Sequence, residues 1–176
     1  MSNTYLHPPT DPDVADIVQQ LAASLENLPQ TLEQCREQLE QGYTLGQLRG
    51  ISDAEYEALY KIARDLCDKG DFHHALPIAL QLTLHHPIDS RFPFIAGSCL
   101  QRLGHAEPAA LMYAMALDVN PEHAAAAYRL AECLIDAGKP IEAIPFLNQT
   151  IDLCYGKFDM LSLMDMAKAK LDTLLD

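Results

Sequence analysis

The sequence predicts an all-α protein, an α-solenoid of three helix-turn-helix repeats preceded by a helical arm and closed by a capping helix. Three observations predict it: a 34-residue period, a composition suited to short packed helices, and one-sided apolar spacing in the segments flanking the periodic region.

The period emerges when the chain is laid on itself. A shift of 34 residues aligns Ala63, Gly97 and Ala131, then Leu66, Leu100 and Leu134, then Gly70, Gly104 and Gly138, then Ala75, Ala109 and Ala143. Weaker columns continue the pattern: Ala79, Tyr113 and Leu147; Leu82, Ala116 and Thr150; and Pro87 and Pro121, where the third repeat has Tyr155. Each column has a steric reason. Small residues at the eighth and twentieth positions suit the close approach of two antiparallel helices. Gly at the fifteenth position suits a left-handed turn after the first helix, and Pro ends the second. The repeats fill 56–89, 90–123 and 124–157. Such units cannot bury their apolar faces singly, so they stack, with the first helices lining a concave surface.

Composition supports this reading. The chain is 49% hydrophobic, with no Trp, and strand signals are weak. Its formal charge of −13 opposes binding to nucleic acid or an anionic membrane surface. No apolar stretch is long enough for a transmembrane helix, and the start lacks the pattern of a secretory signal, so a soluble, cytoplasmic protein without stable membrane insertion is expected. Cys35, Cys67, Cys99, Cys133 and Cys154 are scattered and never in a CxxC pair, so they are expected to be reduced, outside any disulfide framework or zinc site.

The flanks complete the architecture. Residues 1–12 read as an extended or disordered start, and 13–55 as a helical arm and lead-in. Val14, Ile17, Leu21, Leu25 and Leu28 share one helical face with nothing local to cover it, which suggests dimerisation. A second, more polar helix runs from Thr31 to near Gly42. In the closing segment, 158–176, Met160, Leu163, Met164, Ala167, Leu171 and Leu174 share a face, as a capping helix requires.

The repeat columns resemble those of the tetratricopeptide repeat family across 102 residues, although the usual bulky aromatic early in the repeat is Leu59, Pro93 and Ala127 here. The lead-in narrows the resemblance. Thr44, Leu45, Leu48, Gly50, Ile51, Ser52 and Tyr60 are similar to the segment that enters the repeats of bacterial type III secretion class II chaperones, the LcrH/SycD group. That resemblance implies a cytoplasmic homodimeric chaperone. It would hold an extended segment of a hydrophobic, pore-forming translocator in the repeat groove and keep it soluble and secretion-competent. Alternatives are a tetratricopeptide scaffold, or a chaperone of another secretion component such as a needle subunit or effector. A clamp for a C-terminal carboxylate, known in similar repeats, would need basic and Asn residues where Tyr60, Arg64, Ile95, Ala125 and Arg129 stand.

Register assigns the groove. Position five of each first helix gives Tyr60, Phe94 and Tyr128, a column of rings able to bury client side chains. Lys61, Arg64, Arg91, Ser98, Gln101, Arg129 and Glu132 share the face or border it, and would fix the register of a bound segment or pair with neighbouring acids. An enzyme is not expected: there is no Gly-rich phosphate loop, GxSxG or HExxH. The pairs His73–His74 and His85–His86 point about 100° apart on a helix and make no metal site by themselves. No cofactor or metal is implied.

Overall fold

The computed structural model describes Glu33 and residues 36–175, in two compact units that divide between Ile51 and Ser52. The predicted dimerisation face from Val14 to Leu28 lies outside the described residues.

In the first unit, α1 (Arg36–Glu40) is followed by α2 (Leu45–Leu48). Thr44 opens α2 with a reciprocal cap. Its backbone N–H donates to Gln47 Oε1 at 2.8 Å, and its hydroxyl accepts from the Gln47 backbone at 3.2 Å. Residues of the lead-in therefore have local jobs, since Gly50 also takes the left-handed conformation, φ +73°, that ends the turn.

The second unit opens at Ser52, which makes the same reciprocal cap with Glu55. Three helix pairs come next: α3 (Asp53–Asp68) with α4 (Phe72–His85), α5 (Arg91–Arg102) with α6 (Ala106–Val119), and α7 (Ala124–Asp136) with α8 (Pro140–Cys154). A 3-10 turn, Phe158–Met160, leads into α9 (Leu161–Leu175). Consecutive helices pack on one another throughout this unit. No strand occurs among the described residues, and the three pairs are the helix-turn-helix repeats of the solenoid. His73 and His74 lie in the first turn of α4.

One turn is built three times. The N–H after each glycine reaches the carbonyl of the repeat-column Leu: Asp71 to Leu66 at 2.9 Å, His105 to Leu100 at 2.9 Å and Lys139 to Leu134 at 2.8 Å. This bond spans a residue that must turn left-handed, and Gly70, Gly104 and Gly138 have φ of +79°, +85° and +75°. The core grows out of the small columns. Ala63, Ala75, Ala109, Ala131 and Ala143 are fully buried.

The middle repeat departs from that pattern in a compensated way. Position 24 holds Tyr113, fully buried, where the first repeat has Ala79. A Cβ at Gly97 would lie 2.9 Å from the Tyr113 ring, so the large ring requires a glycine opposite it. The missing bulky residue of this repeat is Phe92, 1% exposed and one place before the expected column, with Pro93 buried beside it. At the far end, Ala167 of α9 is fully buried, and Leu163, Leu171 and Leu174 pack on Tyr128, Ala131, Ala143 and Leu147, so α9 closes the array as a cap.

Candidate functional site

Position five places the three rings at equivalent points of α3, α5 and α7, yet their surroundings differ. Tyr60 is half-buried, with its centroid 5.8 Å from Phe92 and the Arg91 guanidinium 4.9 Å above its face. Phe94 is half-buried as well, stacked on His123 at 4.6 Å and tilted against Tyr113 at 5.5 Å. Tyr128 is 6% exposed, beneath the apolar face of α9, with Lys170 Nζ 5.8 Å from its centroid. Each ring is thus covered by a basic side chain from further along the chain. The uniformly open column expected from register is interrupted at Tyr128, because the capping helix covers it.

Tyr128 still borders open space. With Ile135 of α7 and Met166, Ala169, Lys170, Thr173 and Leu174 of α9, it lines a cavity of about 470 Å³. Tyr128 and Ile135 are positions five and twelve of the third repeat, about two turns apart on one side of α7.

The polar candidates divide into paired and exposed groups. Arg91 bonds Asp89 through Nη2 at 2.6 Å and Glu57 through Nη1 at 3.3 Å, joining position two of the first two repeats. These bonds raise the Arg91 pKa further. Burial by itself would raise Asp89, but the bonds from Arg91 hold its carboxyl below the ordinary value. Glu132 accepts from Arg129 at 2.8 Å and from Lys170 at 3.1 Å. Its burial also acts upward, and Lys170 and Arg129 hold it down.

Ser98 and Gln101 serve the core as much as the surface. The Tyr113 hydroxyl donates to Gln101 Oε1 at 2.9 Å and approaches Ser98 Oγ at 3.3 Å, so a ring rooted in α6 ends between positions nine and twelve of the second repeat, both on α5. Lys61 and Arg64 are exposed. Sequence reasoning missed Phe92, His123 and Lys170 as partners of the column. None of them stands in a repeat column, and only His123, just ahead of α7, gave a positional hint. Among the described residues, no group of three or more His, Cys, Asp or Glu is placed to hold a metal ion. No helix there is long and apolar enough to cross a membrane.

This arrangement defines a tetratricopeptide-repeat α-solenoid, and a family model described as tetratricopeptide repeat matches residues 99–152. Within that class, the chain is similar to the LcrH/SycD-like class II chaperones of type III secretion. It is 26% identical over 136 residues to Low calcium response locus protein H of Yersinia pestis, covering 77% of this chain and 81% of that protein. The Yersinia enterocolitica type III secretion chaperone SycD, solved in complex with a peptide of the translocator YopD, superposes with a TM-score of 0.69 at 25% identity, covering 71% of this chain and 95% of that one. SycD has also been solved as an alternative dimer, with a TM-score of 0.68 at the same identity and coverage. A type III secretion complex from Aeromonas hydrophila shares the fold with a TM-score of 0.77 at 23% identity, covering 81% of this chain and 95% of the other.

Proposed function

We propose that this protein is a translocator chaperone of a type III secretion system, holding an extended apolar segment of its client on the face formed by the first helices. The observation that carries this is the fold shared with SycD, which has been solved in complex with a translocator peptide. Mechanism here is binding without turnover. A client segment laid along α3, α5 and α7 buries apolar side chains against Tyr60, Phe94 and the Tyr128 cavity. Lys61, Arg64, Arg91, Ser98, Gln101, Arg129 and Glu132 offer polar partners to its backbone. Each fully buried client side chain contributes about 1.5–3 kcal/mol before the cost of ordering the segment.

The protein works in the cytoplasm, where an apolar client needs cover before export, and it has no enzymatic role. It forms a homodimer, as SycD does, through the face of Val14, Ile17, Leu21, Leu25 and Leu28. Co-expression with a hydrophobic translocator of a type III secretion system tests the reading. A soluble complex should be recovered, and Tyr60→Ala should weaken it about tenfold or more while helicity is kept. Selective recovery of a needle subunit or effector instead would give the protein a different client, and recovery of no client would leave a scaffold. For the arm, removal of residues 1–30 should halve the mass seen by light scattering, and an unchanged mass discards that dimer.

A further inference from the structure

Between the first two repeats, two cysteines 32 residues apart in sequence meet in space. Cys67, at the end of α3, and Cys99, near the end of α5, place their sulfurs 3.4 Å apart. Spacing hides the pair, because 32 residues is not the repeat period: one thiol stands at position twelve of the first repeat and the other at position ten of the second. Cys99 is fully buried and Cys67 half-buried, so a small reagent reaches the pair through Cys67. Cys133 and Cys154 are also fully buried, and no sulfur contact joins them to another cysteine among the described residues.

The location gives the pair a consequence. The seam between the first two repeats is built from Ala63, Ala79, Ile95 and Ala96. The ion pair of Glu57 with Arg91 ties the first helices near their starts, and the two thiols meet near their ends. We propose that Cys67 and Cys99 are a site of reversible oxidation, in which a peroxide converts the two thiols into a disulfide that ties α3 to α5 and fixes the spacing of the first two repeats.

The chemistry balances with hydrogen peroxide as oxidant. The Cys67 thiolate attacks one peroxide oxygen, breaking the O–O bond to give a sulfenic acid and hydroxide, which takes up the proton that left the thiol. The Cys99 sulfur then attacks the Cys67 sulfur and expels the sulfenic oxygen, which leaves as water with the Cys99 proton. Two thiols lose two electrons and two protons, and one peroxide becomes two waters. A dithiol reductant reverses the bond by exchange. Burial raises both thiol pKa values, so the reaction is slow near neutrality and speeds up with pH.

The test uses the full chain, treated with hydrogen peroxide at pH 8.5 and digested with trypsin under non-reducing conditions. The expected product is peptide 65–69 joined to peptide 92–102, with free thiols in denaturant falling from five to three and the link lost on dithiothreitol treatment. The oxidised protein should melt roughly 5 °C or more higher. Cys67→Ser should abolish the linked peptide and leave Cys99 reduced. Recovery of Cys67 as sulfinic or sulfonic acid beside an unmodified Cys99 would overturn the proposal. So would peptide 65–69 joined to any other cysteine, or a linked protein that melts no higher than the reduced one.

Discussion

Tyr60 and Tyr128 are the same residue at the same repeat position, in the first and last units of one array, and they live in different places. The first helix of the second repeat presents Arg91 and Phe92, which cover part of the Tyr60 ring and leave the rest open. Tyr128 meets the apolar face of α9, which has to bury Leu171 and Leu174 somewhere and does so on the last repeat. Register sets where a side chain starts on its helix. The next element sets how much of it water sees. In a stacked array the terminal unit therefore trades open surface for a closed end.

The largest effect should separate these two rings. Tyr128→Ala is expected to cost about 3–5 kcal/mol in chemical denaturation, as for a buried aromatic, and Tyr60→Ala about 1 kcal/mol. Equal costs would break the comparison. The middle repeat comes next. Gly97→Ala pushes a methyl into the Tyr113 ring and should cost about 1–3 kcal/mol. Made in a Tyr113→Ala background, the same change should be nearly neutral. Simple additivity of the two would show that ring and glycine are not matched.

A smaller effect sharpens the picture at Phe94. Its stacking partner His123 accepts the Ala126 N–H on Nδ1 at the start of α7, and burial lowers its pKa. A base whose folded pKa is depressed contributes stability above its unfolded value, near 6.5, and loses it as pH falls through the folded value. Stability should thus drop as pH falls below 6.5, and His123→Asn, which keeps a capping acceptor, should remove that part of the profile. An unchanged profile in the variant would put the titration elsewhere. Smallest of all, Arg91→Ala should cost about 1 kcal/mol, measured by urea melts at low salt and shrinking as salt is added, because Arg91 and Glu57 stay half open to solvent although Asp89 is mostly covered.

Much of the fold was legible because it repeats. Gly70, Gly104 and Gly138 announced three identical turns, and the Ala columns announced the close helix contacts, since both demands are local and recur every 34 residues. The candidate face was legible in part. Tyr60, Phe94 and Tyr128 share a position on their helices, but their differing cover was not readable, because Arg91, His123 and Lys170 reach them from neighbouring elements. The thiol pair was hidden for the same reason, being a contact between two different repeat positions.

The all-α class, the three-repeat plan, the turn glycines and the apolar face of the capping helix were all written in the order of residues. These depend on backbone conformation and on periodicity along one helix. It took the packed helices to show that Tyr113 fills the gap left by Gly97, that Tyr128 is closed over while Tyr60 is half open, and that Cys67 meets Cys99. Those outcomes depend on volumes and distances between helices, and a linear period carries no record of them.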